Sequence, residues 1–145
     1  MIRNKNFFIF PLLLLLTSGM QSWAQQNTLQ IEITNIASAK GEIWFALFLG
    51  EKGFPEKSEN AYRTARVKAE KGMISYTFKE LPAGNYALAV FHDENGDGKM
   101  NKNMFGVPKE AYGFSNNVKN LLRAPYFKEC AFSIPKEKKL TIEIN

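Results

Sequence analysis

The chain has 145 residues, of which 45% are hydrophobic and 23% are charged, and its formal net charge is +5. This length suits one domain with one hydrophobic core. The basic residues are scattered, so the charge does not indicate a nucleic-acid partner. A single cysteine, Cys130, excludes an internal disulfide, and its apolar neighbours predict a small core side chain.

Residues 1–24 have the features of a secretory signal peptide. Arg3 and Lys5 give a positive start, residues 7–16 an apolar core, and residues 22–24 (Ser-Trp-Ala) a small-x-small cleavage site. The apolar run is shorter than the roughly 20 residues that cross a bilayer, so we expect no transmembrane span after signal removal. We therefore expect export to the periplasm or the extracellular space, with residues 25–145 as one mature domain.

Nearly every periodic segment of the mature chain alternates with a period of two residues, which predicts β-strands. Seven segments show this pattern: residues 29–34, 43–48, 65–70, 74–79, 86–91, 127–134 and 140–144. Segment 43–48 is apolar on both faces, which favours a central strand. Segments 65–70 and 74–79 flank a Lys-Gly turn and are predicted to form a hairpin. We predict an all-β fold, a single seven-stranded antiparallel β-sandwich.

Two connections between the predicted strands are long. Residues 50–62 have room for one helical turn. Residues 93–126 form a 34-residue connection that is too apolar for a freely solvated segment. We expect an ordered loop over one end of the sandwich, stabilised either by a bound cation or by a network of Asx turns.

The start of this long loop resembles the start of a calcium-binding loop. Asp93, Asn95 and Asp97 place oxygen-bearing side chains at alternate positions, and Gly98 follows where the backbone must turn sharply. The Lys99 carbonyl and the Asn101 side chain would be the next ligands. The twelfth position is Met104, where an EF-hand has its bidentate Glu, and no flanking helix is predicted.

This loop is therefore not an EF-hand, and any calcium site in it should be weak, with added charge available from Glu94 or Glu110 if the chain folds back. The alternative is a metal-free series of turns in which the Asp and Asn side chains cap their own backbone. No other cofactor is expected.

His92 is the only histidine, and it precedes Asp93 at the end of a predicted strand. One histidine without a second His or Cys does not indicate a transition-metal site. A hydrolase or carbohydrate-active enzyme using His92, Asp93 and Glu110 is an alternative, but no nucleophile-elbow or oxyanion-loop signature accompanies these residues. A hydrogen-bonded strand-end histidine is the favoured interpretation.

The end of the long loop carries aromatic and small polar residues suited to a partner surface. The candidate surface residues are Glu110, Tyr112, Phe114, Ser115, Asn116 and Asn117. The aromatic pair could line a groove for a glycan or a peptide, or it could pack onto the sandwich. Packing is the favoured interpretation.

Two stretches resemble one known family over essentially the whole mature chain. These are LPAGNYALAVFHDENGDGK at residues 81–99 and GVPKEAYGFSNN at residues 106–117. They are similar to the DUF2141 family of secreted bacterial proteins. The resemblance implies a small exported domain with a transthyretin- or prealbumin-like β-sandwich and no established activity. We expect the family pattern to carry an Asp where this chain has Met100-Asn101, which lowers the expected cation affinity.

The sequence therefore predicts a secreted, non-enzymatic sandwich of transthyretin/prealbumin or immunoglobulin-like type. Its loop from residue 93 to residue 117 would form a rigid end surface for an envelope protein, an extracellular protein or a glycan. The alternatives are the hydrolase and a purely structural accessory domain. The exposure of Tyr112 and Phe114 discriminates between a binding and a structural role.

Overall fold

The computed structural model describes residues 27–119, 122–137 and 139–145, so the predicted signal peptide at residues 1–24 lies outside the described residues. The described residues form eight strands: β1 Asn27–Ile36, β2 Glu42–Leu49, β3 Arg63–Lys68, β4 Gly72–Leu81, β5 Gly84–Asp93, β6 Tyr112–Phe114, β7 Phe132–Ile134 and β8 Lys139–Glu143. They also form one α-helical turn, α1 Phe127–Cys130, and two 3₁₀ turns at Ser58–Asn60 and Ser115–Asn117. No helix in these ranges is long and apolar enough to cross a membrane.

The strands form two sheets that enclose one core. The first has the order β4-β1-β8, and the second has the order β3-β2-β5-β6, with β7 also paired to β5. The predicted all-β sandwich is confirmed. The strand count of seven is wrong because residues 112–114 add β6, and the sandwich is not wholly antiparallel because β1 and β8 run parallel.

The predicted hairpin between residues 65–70 and 74–79 is also wrong. β3 pairs with β2 and β4 pairs with β1, so the short connection crosses from one sheet to the other. The backbone N–H of Ala69 donates to the Gly41 carbonyl, which ties the start of this connection to the strand that begins at Glu42. Alternation with a period of two shows which side chains face inward, but two strands joined by a turn can satisfy it within one sheet or across two.

Residues 127–134 do not form one strand, in contrast to the prediction. The first four residues make α1, and only Phe132–Ile134 continue as a strand. The Glu129 carboxylate accepts a hydrogen bond of 2.6 Å from the Tyr126 backbone N–H and receives both guanidinium nitrogens of Arg123. This local capping outweighs the strand-like pattern because it satisfies backbone groups that start the helical turn.

The core contains the inward-facing side chains of both sheets. Its fully buried large members include Leu29, Ile31, Ile33, Ile43, Phe45, Leu47, Tyr86, Leu88 and Ile142. Each such side chain contributes about 1.5–3 kcal/mol on leaving water. The predicted alternation of β1 is confirmed, and β2 is a central strand between β3 and β5, as its two apolar faces predicted. Cys130 is completely buried, as predicted, and burial raises the pKa of its thiol to about 12.

Candidate functional site

The candidate site begins where β5 ends, at Asp93. This side chain is almost completely buried, and its two oxygens accept hydrogen bonds from the backbone N–H groups of Gly96 and Gly98 at 2.7 and 2.8 Å. Gly98 has a φ of +75°, which a side chain would strain, and a Cβ there would lie 3.2 Å from the Trp44 ring. Asp93 therefore folds the loop back onto the sheet, and the glycine permits the close approach.

A second layer of side chains lies on the exposed side of this turn. The Asn95 amide donates to Asn101 Oδ1 at 2.7 Å, and the Asn101 amide donates to Asp97 Oδ2 at 2.8 Å. Asp97 Oδ1 also accepts from the Lys99 backbone N–H at 2.9 Å. The hydrogen bond from Asn101, followed by the one from Lys99, holds the pKa of Asp97 below its usual value. The turn network predicted as the metal-free alternative is thus present in detail.

Glu110 completes the cluster from the far end of the loop. Its Oε2 accepts a 3.0 Å hydrogen bond from the Asn101 backbone N–H, while Oε1 is buried without a hydrogen-bond partner in the part of the chain that the structure describes. Burial raises the pKa of Glu110, and the charges of Asp93 and Asp97 add to that effect. Glu94, by contrast, is exposed and accepts a hydrogen bond from the Ser38 hydroxyl.

Five residues thus bring carboxylate or amide oxygens to one loop: Asp93, Asn95, Asp97, Asn101 and Glu110. Such oxygens are the ligands that calcium prefers. The Lys99 side chain is exposed. Within the described ranges, no group of three or more His, Cys, Asp and Glu side chains is arranged to hold a metal ion. A calcium ion in this loop would consequently need amide and backbone oxygens as well as carboxylates.

His92 is buried beside the loop as a hydrogen-bonded strand-end residue, as predicted. Its Nε2 donates to the Lys40 carbonyl at 2.7 Å, and its Nδ1 lies 3.6 Å from Oε1 of Glu94. The adjacent Asp93 carboxylate is engaged by backbone N–H groups. A hydrolase that used this pair would first have to open the loop, because neither group faces an open cleft.

The candidate partner-surface residues divide into three kinds. Tyr112 and Phe114 are half-buried with their rings 5.6 Å apart, and Phe114 also contacts Phe54. Ser115 is completely buried. Asn116 and Asn117 are exposed, but their amides donate to the carbonyls of α1 and β8 and so hold the loop to the sandwich. The aromatic pair is therefore neither a fully open patch nor fully packed away.

Trp44 is a member of this site that the sequence reasoning did not identify. The edge of its ring lies under Gly98, the Arg66 guanidinium stacks on it at 4.0 Å, and its Nε1 is buried without a hydrogen-bond partner among the described residues. Its position at alternate spacing between Ile43 and Phe45 places it on the outer face of β2. That pattern is the only sequence signal for it, because the contact with Gly98 joins residues far apart in the chain.

One comparison with known proteins identifies a family. A family model described as an uncharacterized protein conserved in bacteria matches residues 31–143, which extend from β1 to the end of β8. Neither a curated protein nor a solved structure matches the chain. The match covers most of the sequence and includes every strand, so the chain belongs to the DUF2141 family.

Proposed function

We propose that this domain is an exported, non-catalytic β-sandwich module in which calcium stabilises the loop from Asp93 to Glu110. The loop would then present a rigid end surface to an envelope or extracellular partner. The observation that carries the proposal is the Glu110 carboxylate, whose Oε1 is buried and unpartnered beside Asp93 and Asp97. The transthyretin- or prealbumin-like class of sandwich also stays a prediction.

A cation would relieve the cost of this arrangement. A buried polar atom without a partner costs about 1–3 kcal/mol, and more when it is charged. Asp93 and Asp97 raise the pKa of Glu110 further, which shows that the three carboxylates lie within electrostatic reach of one another. Calcium would bridge them, and Glu110 would supply the acidic ligand that Met104 cannot supply at the twelfth position of the loop.

The affinity should be low. Both oxygens of Asp93 already accept backbone hydrogen bonds, and Asn95 and Asn101 bind each other, so an ion must compete with an existing network. We expect a Kd of about 10⁻⁴ to 10⁻³ M, the range of extracellular calcium modules. Such a site is occupied outside cells, where calcium is plentiful.

Calcium titration of residues 25–145, which contain every described strand, tests the proposal. Trp44 is the only tryptophan after residue 24 and touches Gly98 of the loop, so its fluorescence reports the site directly. We expect a saturable fluorescence change and a rise in Tm of several degrees, since a hundredfold excess of calcium over Kd stabilises the fold by about 2.7 kcal/mol.

Two variants separate a specific site from a general charge effect. Glu110→Gln should abolish the rise in Tm, whereas Glu94→Gln should retain it, because Glu94 faces Ser38 and not the cluster. Magnesium should be much less effective, because the loop offers no rigid octahedral set of oxygens. An unchanged Tm for the wild-type protein at 10 mM calcium, roughly ten times the weakest expected Kd, would refute the calcium proposal.

A further inference from the structure

Residues 101–109 form a narrow hairpin, here called the finger, that projects from the loop. Backbone hydrogen bonds join Asn103 N to Val107 O at 2.8 Å and Lys109 N to Asn101 O at 2.8 Å, and Lys102 pairs with Pro108. Inside the turn, the Asn103 side-chain oxygen accepts from the backbone N–H groups of Phe105 and Val107. The backbone of the finger is therefore fixed by its own hydrogen bonds.

The tip of the finger displays apolar side chains to solvent. Met104 is 89% exposed, Phe105 is 83% exposed and Val107 is 54% exposed. Single exposed apolar residues are common on protein surfaces, but three at the end of one hydrogen-bonded turn form a continuous apolar tip. No core contact in the described structure accounts for them, since none belongs to the hydrophobic core cluster.

The base of the finger is positively charged. Lys99, Lys102 and Lys109 surround it, and residues 98–109 contain no acidic side chain. Lys102 makes an ion pair of 2.8 Å with Glu56, but both partners are largely exposed, so the pair is weak and can be exchanged for another anion. The finger thus has an apolar tip and a lysine collar, formed by the three named lysines.

We propose that the finger docks on an anionic lipid surface, with Met104, Phe105 and Val107 inserted among the headgroups and the lysine collar against lipid phosphates. The charge complementarity favours lipid over protein, because lysine is depleted in protein–protein interfaces but accompanies apolar side chains in segments that lie at membrane surfaces. A convex tip suits a soft surface that can close around it. The proposal does not depend on calcium, because Asn103 and the backbone hydrogen bonds shape the finger.

Flotation with lipid vesicles tests this proposal on residues 25–145. The assay contains EDTA, so that a failure of the calcium proposal cannot affect its outcome. We expect binding to vesicles with 30% phosphatidylglycerol and much weaker binding to pure phosphatidylcholine. Replacing Met104 and Phe105 together by Ser should reduce partitioning at least about tenfold. Each Lys→Gln change in the collar should reduce it about fivefold.

Met73→Ser is the matched control, because Met73 is 54% exposed on β4, outside the finger, and its replacement should leave vesicle binding unchanged. The finger variants should keep the wild-type Tm, which separates lost docking from lost folding. Phe105→Trp gives a second readout: its fluorescence should shift to the blue and be quenched by brominated lipid.

Three results would overturn the proposal. The first is no binding to either kind of vesicle, which would leave the finger as a protein contact. The second is binding that the Met104/Phe105 double variant retains, which would reduce the interaction to surface charge. The third is Phe105→Trp fluorescence that brominated lipid does not quench.

Discussion

Ser115→Ala should be one of the most destabilising single-atom deletions in the domain. The Ser115 hydroxyl is completely buried, donates to the Cys130 carbonyl at 2.5 Å and accepts from the Leu88 backbone N–H at 3.0 Å. It therefore joins the central strand β5 to the end of α1. Alanine would leave one backbone donor and one backbone acceptor in the interior without partners.

The magnitude follows from those two groups. Each unsatisfied buried polar group costs about 1–3 kcal/mol, and small shifts of the backbone recover part of the loss. We expect a total decrease of about 2–4 kcal/mol in the free energy of unfolding, a large share of the 5–15 kcal/mol typical of a domain. With a urea m-value of about 1–3 kcal/mol/M, the midpoint should fall by roughly 1–3 M.

Urea unfolding of residues 25–145, followed by Trp44 fluorescence and by circular dichroism, measures this difference. Ser133→Ala is the matched control, because the Ser133 hydroxyl donates to Asn85 at the surface and its loss should cost less than about 0.5 kcal/mol. If Ser115→Ala unfolded within 0.5 kcal/mol of the control, the two hydrogen bonds would not have the stabilising role assigned to them.

Four further outcomes follow from individual side chains. Gly41→Ala should cost more than about 3 kcal/mol in urea unfolding, because Gly41 has a φ of +67° and a Cβ would collide with the Asp93 carbonyl. The Cys130 thiol, with its pKa raised to about 12, should resist Ellman's reagent at pH 8 until urea unfolds the chain. The pKa of Glu129 is lowered to about 2, chiefly by the hydrogen bond from Arg123, so its contribution is complete above pH 4.5 and is lost as pH falls towards 2; melting curves of the wild-type protein and Glu129→Gln should therefore differ at pH 7 and converge near pH 2. Because the pKa of Glu110 is raised, its contribution is present below pH 4.5 and lost as pH rises, so Glu110→Gln should raise the Tm in EDTA at pH 7 but not at pH 4, and an equal Tm at pH 7 would contradict this reasoning.

The strands that could be predicted are those whose burial alternates clearly. In β1 and β8 one face is apolar and the other is polar, and β2 is apolar on both faces, so the pattern alone indicated each of them. The partners of β3 and β4 could not be predicted, because alternation is the same in a hairpin and in a connection between sheets. β6 has only three residues, too few for a periodic signal.

The candidate site was predictable in part for a similar reason. The spacing of Asp93, Asn95 and Asp97 is local, so the sequence indicated the turn and its possible ligands. Glu110 was assigned to a partner surface because its approach to Asn101 requires the finger to fold back on itself. Trp44 was not identified at all, since it reaches Gly98 only when β2 and the loop after β5 come together in the fold.

The parallel pairing of β1 with β8 has a consequence for how the chain assembles. β1 lies between β4 and β8, and the Asn35 side chain reaches the Ile144 carbonyl across 109 positions of sequence. Until the last strand is available, one side of β1 is an open edge with unpaired backbone groups. A product that stops before Lys139 would turn an interior strand into a site of self-association, so this domain can become soluble and monomeric only after its synthesis is finished.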